Sequence, residues 1–222
     1  MKKKAGGAIF VGKYYFMKKN YVSNSPESVR MFKSSFLESL SKVPFYVPLI
    51  VYIPVIGYFG YQSFFNNPIL TAIGAVALGL FIWTFTEYIL HRFIFHFYPK
   101  SEWGRRIHFI FHGVHHDYPN DAHRLVMPPS ASIPLALAFY FLFKAILPVH
   151  LLDGFFTGFI IGYLVYDMMH YFLHHARFSH PILKRLKQHH MLHHYDDATK
   201  GYGVSSDLWD KIFRSEILKK KS

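Results

Sequence analysis

The stretch Ile69-Leu-Thr-Ala-Ile-Gly-Ala-Val-Ala-Leu-Gly-Leu-Phe-Ile-Trp-Thr-Phe-Thr-Glu-Tyr-Ile-Leu-His-Arg-Phe-Ile-Phe-His96 decides the reading of this chain. It is apolar and uncharged from Ile69 to Thr86, long enough for a helix to cross a hydrocarbon core of about 30 Å, and it ends on a carboxylate and two histidines, Glu87, His91 and His96. Three further runs share its character, about 44–64, 132–149 and 151–173, interrupted only by Lys144, Asp153 and Asp167. Four such runs in 222 residues predict an all-α integral membrane protein: a four-helix bundle of two transmembrane hairpins (spans about 44–64, 69–90, 132–149 and 151–173), with Pro48, Pro54, Pro134 and Pro148 marking bends or ragged ends. The composition agrees, with 51% hydrophobic and only 17% charged residues, against about a quarter charged in soluble domains.

A net charge of +12 would ordinarily suggest nucleic acid. Here the basic residues sort by topology. Nine lie in residues 1–43 (Lys2, Lys3, Lys4, Lys13, Lys18, Lys19, Arg30, Lys33 and Lys42), five between the second and third spans, and ten after the fourth. The turns 62–68 and 149–153 hold none, and Lys144 is near enough to a span end to snorkel. This positive-inside pattern puts both termini and the middle segment on the cytosolic side and removes the case for nucleic acid. No cleavable signal peptide is expected, because residues 1–20 lack the apolar core of one. Residues 25–43 are expected to form one amphipathic helix in the membrane interface, capped by Ser25 with Pro26 in its first turn and presenting Val29, Phe32, Phe36, Leu40 and Val43 on one face. The chain therefore divides into a basic segment with an interfacial helix (1–43), a membrane domain with a cytosolic helical cap (44–214) and a basic tail (215–222). Lys219 and Lys220 stand as in a dilysine retrieval signal, a pattern that a solvated basic end also produces.

There are no cysteines, so thiolate zinc sites, iron–sulfur clusters and cysteine nucleophiles are excluded. The sixteen histidines outnumber the thirteen acidic residues, and ten of them fall in four clusters. These are His91 with His96, His112 with His115 and His116, His170 with His174, and His190 with His193 and His194. The charge pattern brings all four clusters to one membrane face. Histidines four residues apart share a helix face, whereas neighbours are swung about 100° apart, so each H-x-x-H-H turn can feed two ions. His91 and His96 are about 140° apart on a regular helix, so the helix is expected to end or kink around 92–95. Ten imidazoles match two ions with five each. Imidazole suits zinc, copper, iron and nickel, and five donors exceed the tetrahedral set of structural zinc, which favours iron. Glu87 and Asp167, one turn before a histidine, are expected to orient the imidazoles. His108, His175 and His189 are candidates for the same role or for extra ligands, and Tyr118, Tyr166, Tyr195 and Tyr202 for lining the approach.

The clusters in this order, with Arg124-Leu-Val-Met-Pro-Pro129, Asp167-Met-Met-His170, His190-Met-Leu-His-His-Tyr195 and Gly201-Tyr-Gly-Val-Ser-Ser206 followed by Trp209-Asp210, resemble the fatty acid hydroxylase superfamily of membrane di-metal oxygenases. Within it the chain is most similar to fatty acid 2-hydroxylases of the yeast and animal type, over roughly residues 36–214. The resemblance implies one metal site from His91, His96, His112, His116 and His193, and a second from His115, His170, His174, His190 and His194. It implies two irons (zinc being possible in a purified form), dioxygen, hydroxylation at C2 of a fatty acid or acyl lipid, and membrane lipid around the bundle. Many relatives carry an N-terminal haem-binding cytochrome domain. About 40 residues precede the first span here, too few for one, so electrons are expected from a separate electron-transfer protein. The compartment expected is the endoplasmic reticulum membrane in a eukaryote and the cytoplasmic membrane in a bacterium. Sterol or carotenoid hydroxylation and lipid desaturation are the neighbouring reactions. Metal transport is disfavoured, since transporters place ligands near the bilayer midplane and these gather at one end.

Overall fold

The computed structural model describes residues 22–23, 25–97 and 99–217. The first twenty-one residues and the dilysine pattern at Lys219 and Lys220 lie outside them. The described residues are helical without strands. Four helices are long and apolar enough to cross a membrane: α2 (Val47–Asn66), α3 (Ile69–Ile89) with its continuation to Phe95, α6 (Pro129–Ile146) and α7 (Val149–His175). They lie within a few residues of the expected spans. Pro54 and Pro134 sit inside helices that continue through them. The α2–α3 and α6–α7 connections at Asn67-Pro68 and Leu147-Pro148 are tight and share one end of the bundle. The short helices α4 (Glu102–His108), α5 (Val114–Asp117), α8 (Pro181–Tyr195) and α9 (Leu208–Ile212) cap the other.

α7 is the central post. Two thirds (67%) of its span is buried, against 11–22% in the other three, whose Ile50, Phe65, Leu70 and Phe141 point outward. Large apolar side chains on that many outer faces are what lipid surroundings require. Within the bundle, Tyr52, Trp83, Phe143, Phe155, Phe159 and Tyr163 interlock around α7, largely as edge-to-face aromatic pairs. α7 meets α3 backbone to backbone. Gly154, Gly158 and Gly162 recur at four-residue spacing on the face turned to Ala72, Ala75 and Gly79. A Cβ at Gly158 would stand 1.9 Å from the Val76 carbonyl oxygen, and one at Gly79 would stand 1.9 Å from that of Phe155. Small residues at this period are the known means by which spanning helices approach closely.

The expected helix over 25–43 is shorter than the sequence suggests. Only α1 (Ser35–Leu40) forms, capped by Ser34 rather than Ser25. The preceding backbone is satisfied by side chains instead of by helical bonds: Met31 and Phe32 amides donate to the Glu38 carboxylate, Arg30 donates to the Phe32 and Lys33 carbonyls, and Arg124 to that of Val29. Phe36, Leu37 and Leu40 remain exposed on α1, the apolar face that the interfacial reading needs.

Between α3 and its last histidine the helix changes pitch. Leu90–Phe95 is a π-helical turn, in which each amide reaches the carbonyl five residues back, and the His96 amide donates to the His91 carbonyl at 3.1 Å. The expected break at 92–95 is thus an expansion of one turn rather than an end. It turns a five-residue separation from opposed faces into one face. A second π turn, Phe109–Gly113, delivers His112 into the short helix that carries His115 and His116.

Candidate metal centre

Ten histidines converge at the capped end in two groups. His91, His96, His112, His116 and His193 form one, and His115, His170, His174, His190 and His194 the other; within each, one nitrogen per ring lies within 4.8 Å of all the others. These are the two sets that the family resemblance implies. Each H-x-x-H-H turn is divided between them, with His112 and His116 facing one nest and His115 the other, and with His193 and the pair His190 and His194 divided in the same way.

In the first nest the Nε2 atoms face one another: His112 lies 3.1 Å from His91 and 3.0 Å from both His96 and His116, and His193 is 3.0 Å from His96. In the second, His170 and His115 are 2.8 Å apart, and His174 and His190 2.9 Å. Backbone carbonyls settle which nitrogen is free. Nδ1 of His91 donates to the Tyr202 carbonyl, Nδ1 of His193 to that of Lys200 at 2.6 Å, and Nδ1 of His170 to that of Leu125 at 2.9 Å. His174 donates to the Pro119 carbonyl. A neutral ring whose Nδ1 is protonated has a lone pair on Nε2, so lone pairs converge on the centre of each nest. His194 is fully buried with neither nitrogen hydrogen-bonded, a costly state unless a cation is its partner.

This donor set fits a metal ion. Two nitrogens at about 2.0–2.1 Å from a common ion are about 2.8–3.0 Å apart when they subtend a right angle and about 3.3–3.4 Å apart at the tetrahedral angle. The 2.8–3.1 Å separations are those of two ligands on one ion. Electrostatics favours the required protonation state. Burial first, and repulsion from neighbouring imidazoles second, hold His112, His115, His116, His190 and His194 well below the ordinary histidine value. His193 is lowered to about 4, burial outweighing the Lys200 carbonyl.

The residues expected to orient the rings act differently. None of Glu87, Asp167, His108, His175 and His189 hydrogen-bonds one of the ten histidines among the described residues. Glu87 accepts from the Val204 and Ser205 amides at 2.8 and 2.9 Å and from the Ser205 hydroxyl. It clamps the loop that presents the Tyr202 carbonyl. Asp167 accepts from the Met127 amide at 3.3 Å and holds the loop that presents the Leu125 carbonyl. His108 bonds the Phe95 backbone, His175 lies against Tyr171, and His189 bonds Asp210. Sequence reasoning thus placed the two carboxylates near the nests and missed the carbonyls between. The paired glycines of Gly201-Tyr202-Gly203 were the available signal of a tight turn there. Of the tyrosines, Tyr202 packs its ring against His91, His96 and His193, Tyr166 stacks on His170, and Tyr195 is half exposed beside His194.

An apolar cavity of about 280 Å³ reaches this centre from the side of α1. His112, His115 and His170 form its inner wall, and Phe32, Leu40 and Ala131 its outer part. Its roof is held by Arg124, which donates to Glu38 at 2.8 Å and lies 3.4 Å from Asp121.

Comparison with known proteins agrees with this geometry. The fatty acid hydroxylase family model matches residues 76–215. A dihydroceramide fatty acyl 2-hydroxylase of Arabidopsis thaliana is 40% identical over 188 residues, covering 84% of this chain and 79% of that protein. A ceramide very long chain fatty acid hydroxylase of Schizosaccharomyces pombe is 40% identical over 82% of this chain, and the human fatty acid 2-hydroxylase 35% identical over 84%. The chain spans only 53% and 56% of those two. The solved hydroxylase domain of Scs7p superposes with a TM-score of 0.79 at 39% identity, covering 82% of this chain and 70% of that one. With its spans, its two histidine nests and relatives at this level of identity, the chain belongs to the fatty acid hydroxylase family.

Proposed function

We propose that this protein hydroxylates C2 of a fatty acyl chain, free or within a membrane lipid, using dioxygen and electrons from a separate donor protein. The observation that carries the reading is the meeting of two five-histidine nests with one apolar cavity whose inner wall is made of those histidines. Relatives named for 2-hydroxylation of fatty acyl and ceramide substrates support the position and the lipid class. The ten histidines would hold two irons. Bound there, iron supplies the activation of dioxygen and the oxidation of an unactivated C–H bond, which no side chain performs. In the overall change one oxygen atom enters the C2–H bond and the other leaves as water, the donor providing a pair of electrons and the medium a pair of protons.

The chain's own residues do the rest. The carbonyls of Tyr202, Lys200, Leu125 and Pro119 fix the tautomer and aim of the imidazoles, and burial keeps the rings neutral. The apolar walls of the cavity, Phe32, Leu40 and Val126 among them, exclude water and set the acyl chain against the inner wall. By the positive-inside pattern the nests face the cytosol. The exposed Arg177, Lys184, Lys200 and Arg214 on the cap suit an acidic electron donor. Residues 44–214 form the catalytic membrane domain in this reading. Whole-lipid mass spectrometry of cells expressing the chain is the test. A rise in 2-hydroxy acyl species is expected, abolished by His194→Ala. Unchanged 2-hydroxy species, or new desaturated or sterol products in their place, would overturn it.

A further inference from the structure

Asp210 lies in the middle of α9 and is fully buried, yet belongs to neither nest. Its carboxylate accepts four hydrogen bonds. Oδ1 takes the Tyr202 amide at 3.0 Å and the Ser215 hydroxyl at 2.8 Å; Oδ2 takes the Gly203 amide at 2.7 Å and His189 Nε2 at 3.1 Å. Three of these donors belong to a strap drawn tight around it. The Gly201 amide donates to the Ser215 carbonyl at 2.7 Å. Gly201 has φ +72°, a left-handed conformation that glycine adopts without strain. A Cβ on Gly203 would stand 2.0 Å from the Ser206 carbonyl and 2.9 Å from Asp210 Oδ2, so only glycine lets the backbone come this close.

The strap's outward carbonyls are the ones that matter to the histidines. Those of Lys200 and Tyr202 receive Nδ1 of His193 and His91, both in the first nest. The second nest has carbonyls from elsewhere, Leu125 and Pro119. The bonds also form a circuit that closes through the backbone of residues 88–92. Because Ser215 donates its hydroxyl proton to Asp210, Tyr88 must donate to Ser215, at 2.8 Å. Tyr88 in turn accepts from Arg92 at 2.5 Å, and His91 between them returns through Tyr202 to Asp210. Glu87 pins the far side of the same loop.

We infer that Asp210 is a positioning residue for one of the two metal ions: it fixes the Lys200 and Tyr202 carbonyls, and through them the donor nitrogens of His193 and His91, while it holds no carbonyl that receives a ring of the second nest and reaches that nest's helix only through the His189 side chain. This rests on the reading of the nests as metal sites. Replacing a partner beyond the ligands lowers metal affinity by about 10–100-fold. Asp210→Asn is already a severe change, because its amide nitrogen must face one pair of donors where an oxygen accepted them.

The test is zinc release from the purified, zinc-loaded full chain to an excess of chromophoric chelator. The unsubstituted chain is expected to release two ions slowly. Asp210→Asn should accelerate release of one by about 10–100-fold and leave the other unchanged. The ion is identified by repeating the substitution in two backgrounds. With the second nest disabled by His174→Ala and His194→Ala, Asp210→Asn should speed loss of the remaining ion. With the first disabled by His96→Ala and His116→Ala, it should not. Equal acceleration in both backgrounds is general loosening and overturns the inference, as does no acceleration in either. Ser215→Ala removes one of the four bonds and must show the same asymmetry with a smaller factor, so a failure of Asp210→Asn to accumulate does not shelter the idea. A chain that takes up no zinc at all would instead refute the metal-centre reading, and the inference with it.

Discussion

Alanine at Gly79 and alanine at Gly74 are the same chemical change on the same helix, five residues apart, and should have opposite signs. A Cβ at Gly74 has nothing within 4 Å. Glycine costs a helix about 0.5–1 kcal/mol relative to alanine, so Gly74→Ala should be neutral or stabilising by up to about 1 kcal/mol. At Gly79 the same atom would lie 1.9 Å from the Phe155 carbonyl oxygen, 2.8 Å from its carbon and 2.9 Å from the Phe159 nitrogen. Ordinary contact begins at 3.4 Å, so the two helices must part by up to 1.5 Å, the difference 3.4 − 1.9. The obstructing atoms are backbone and cannot rotate away. Overpacking typically costs about 1–3 kcal/mol, and this site belongs at the upper end. For a chain of this length about 3 kcal/mol lowers the melting temperature by roughly 6–12 °C. The parting also moves His91 on one helix away from His170 and His174 on the other, and a misplacement near 1 Å can cost about 100-fold in turnover. Thermal unfolding in detergent, 2-hydroxy product formation and metal content measure the three effects. If Gly79→Ala melts at or above Gly74→Ala, the backbone-to-backbone seam is wrong.

Three further outcomes follow from the geometry. Arg124→Ala leaves the fully buried Asp121 carboxylate without its cation and Glu38 with Lys42 alone; at about 3–5 kcal/mol for a broken buried pair the melting temperature should fall by roughly 6–20 °C, and a shift below 2 °C by calorimetry would contradict the arrangement. Stability of the metal-free protein should depend on pH through the nests. His193 titrates at about 4 when folded and near 6.5 when unfolded, so below about 6.5 the unfolded chain binds more protons; stability is complete above that pH and is lost as pH falls toward 4. A melting temperature flat from pH 7 to 5 would show the rings to be solvated. Ala131→Phe, on the outer wall of the cavity, should lower turnover of long acyl chains by about 10-fold or more without changing metal content; an unchanged rate would place the acyl chain elsewhere.

The parts legible in the sequence are those governed by local period and by charge. Spans follow from uninterrupted apolar length, and the shared end of the four clusters follows from topology. The altered pitch between His91 and His96 follows from a five-residue gap that a regular helix cannot reconcile. The division of each H-x-x-H-H turn follows from the rotation per residue, although the choice of partners needed the family resemblance. What stayed hidden depends on contacts distant in sequence. Residues 25–33 have helical spacing, but their amides and carbonyls are claimed by Glu38 and by Arg124, which is 95 positions from Val29. The carbonyls of Tyr202 and Leu125 are invisible because every residue has one, and only folding selects which meets an imidazole. The Gly154, Gly158, Gly162 repeat was readable, and it marks a pair of spans, α3 and α7, that meets backbone to backbone.

His112, His115 and His116 occupy a single turn, as do His190, His193 and His194, and each turn serves both nests. The gap between the two nests is therefore inherited from the rise and rotation of the helical backbone, π-helical at His112 and α-helical beyond it, a length no side-chain substitution rescales. Substitutions on this scaffold can reshape the cavity and the loops behind each ring, while the span between the two nests stays constant.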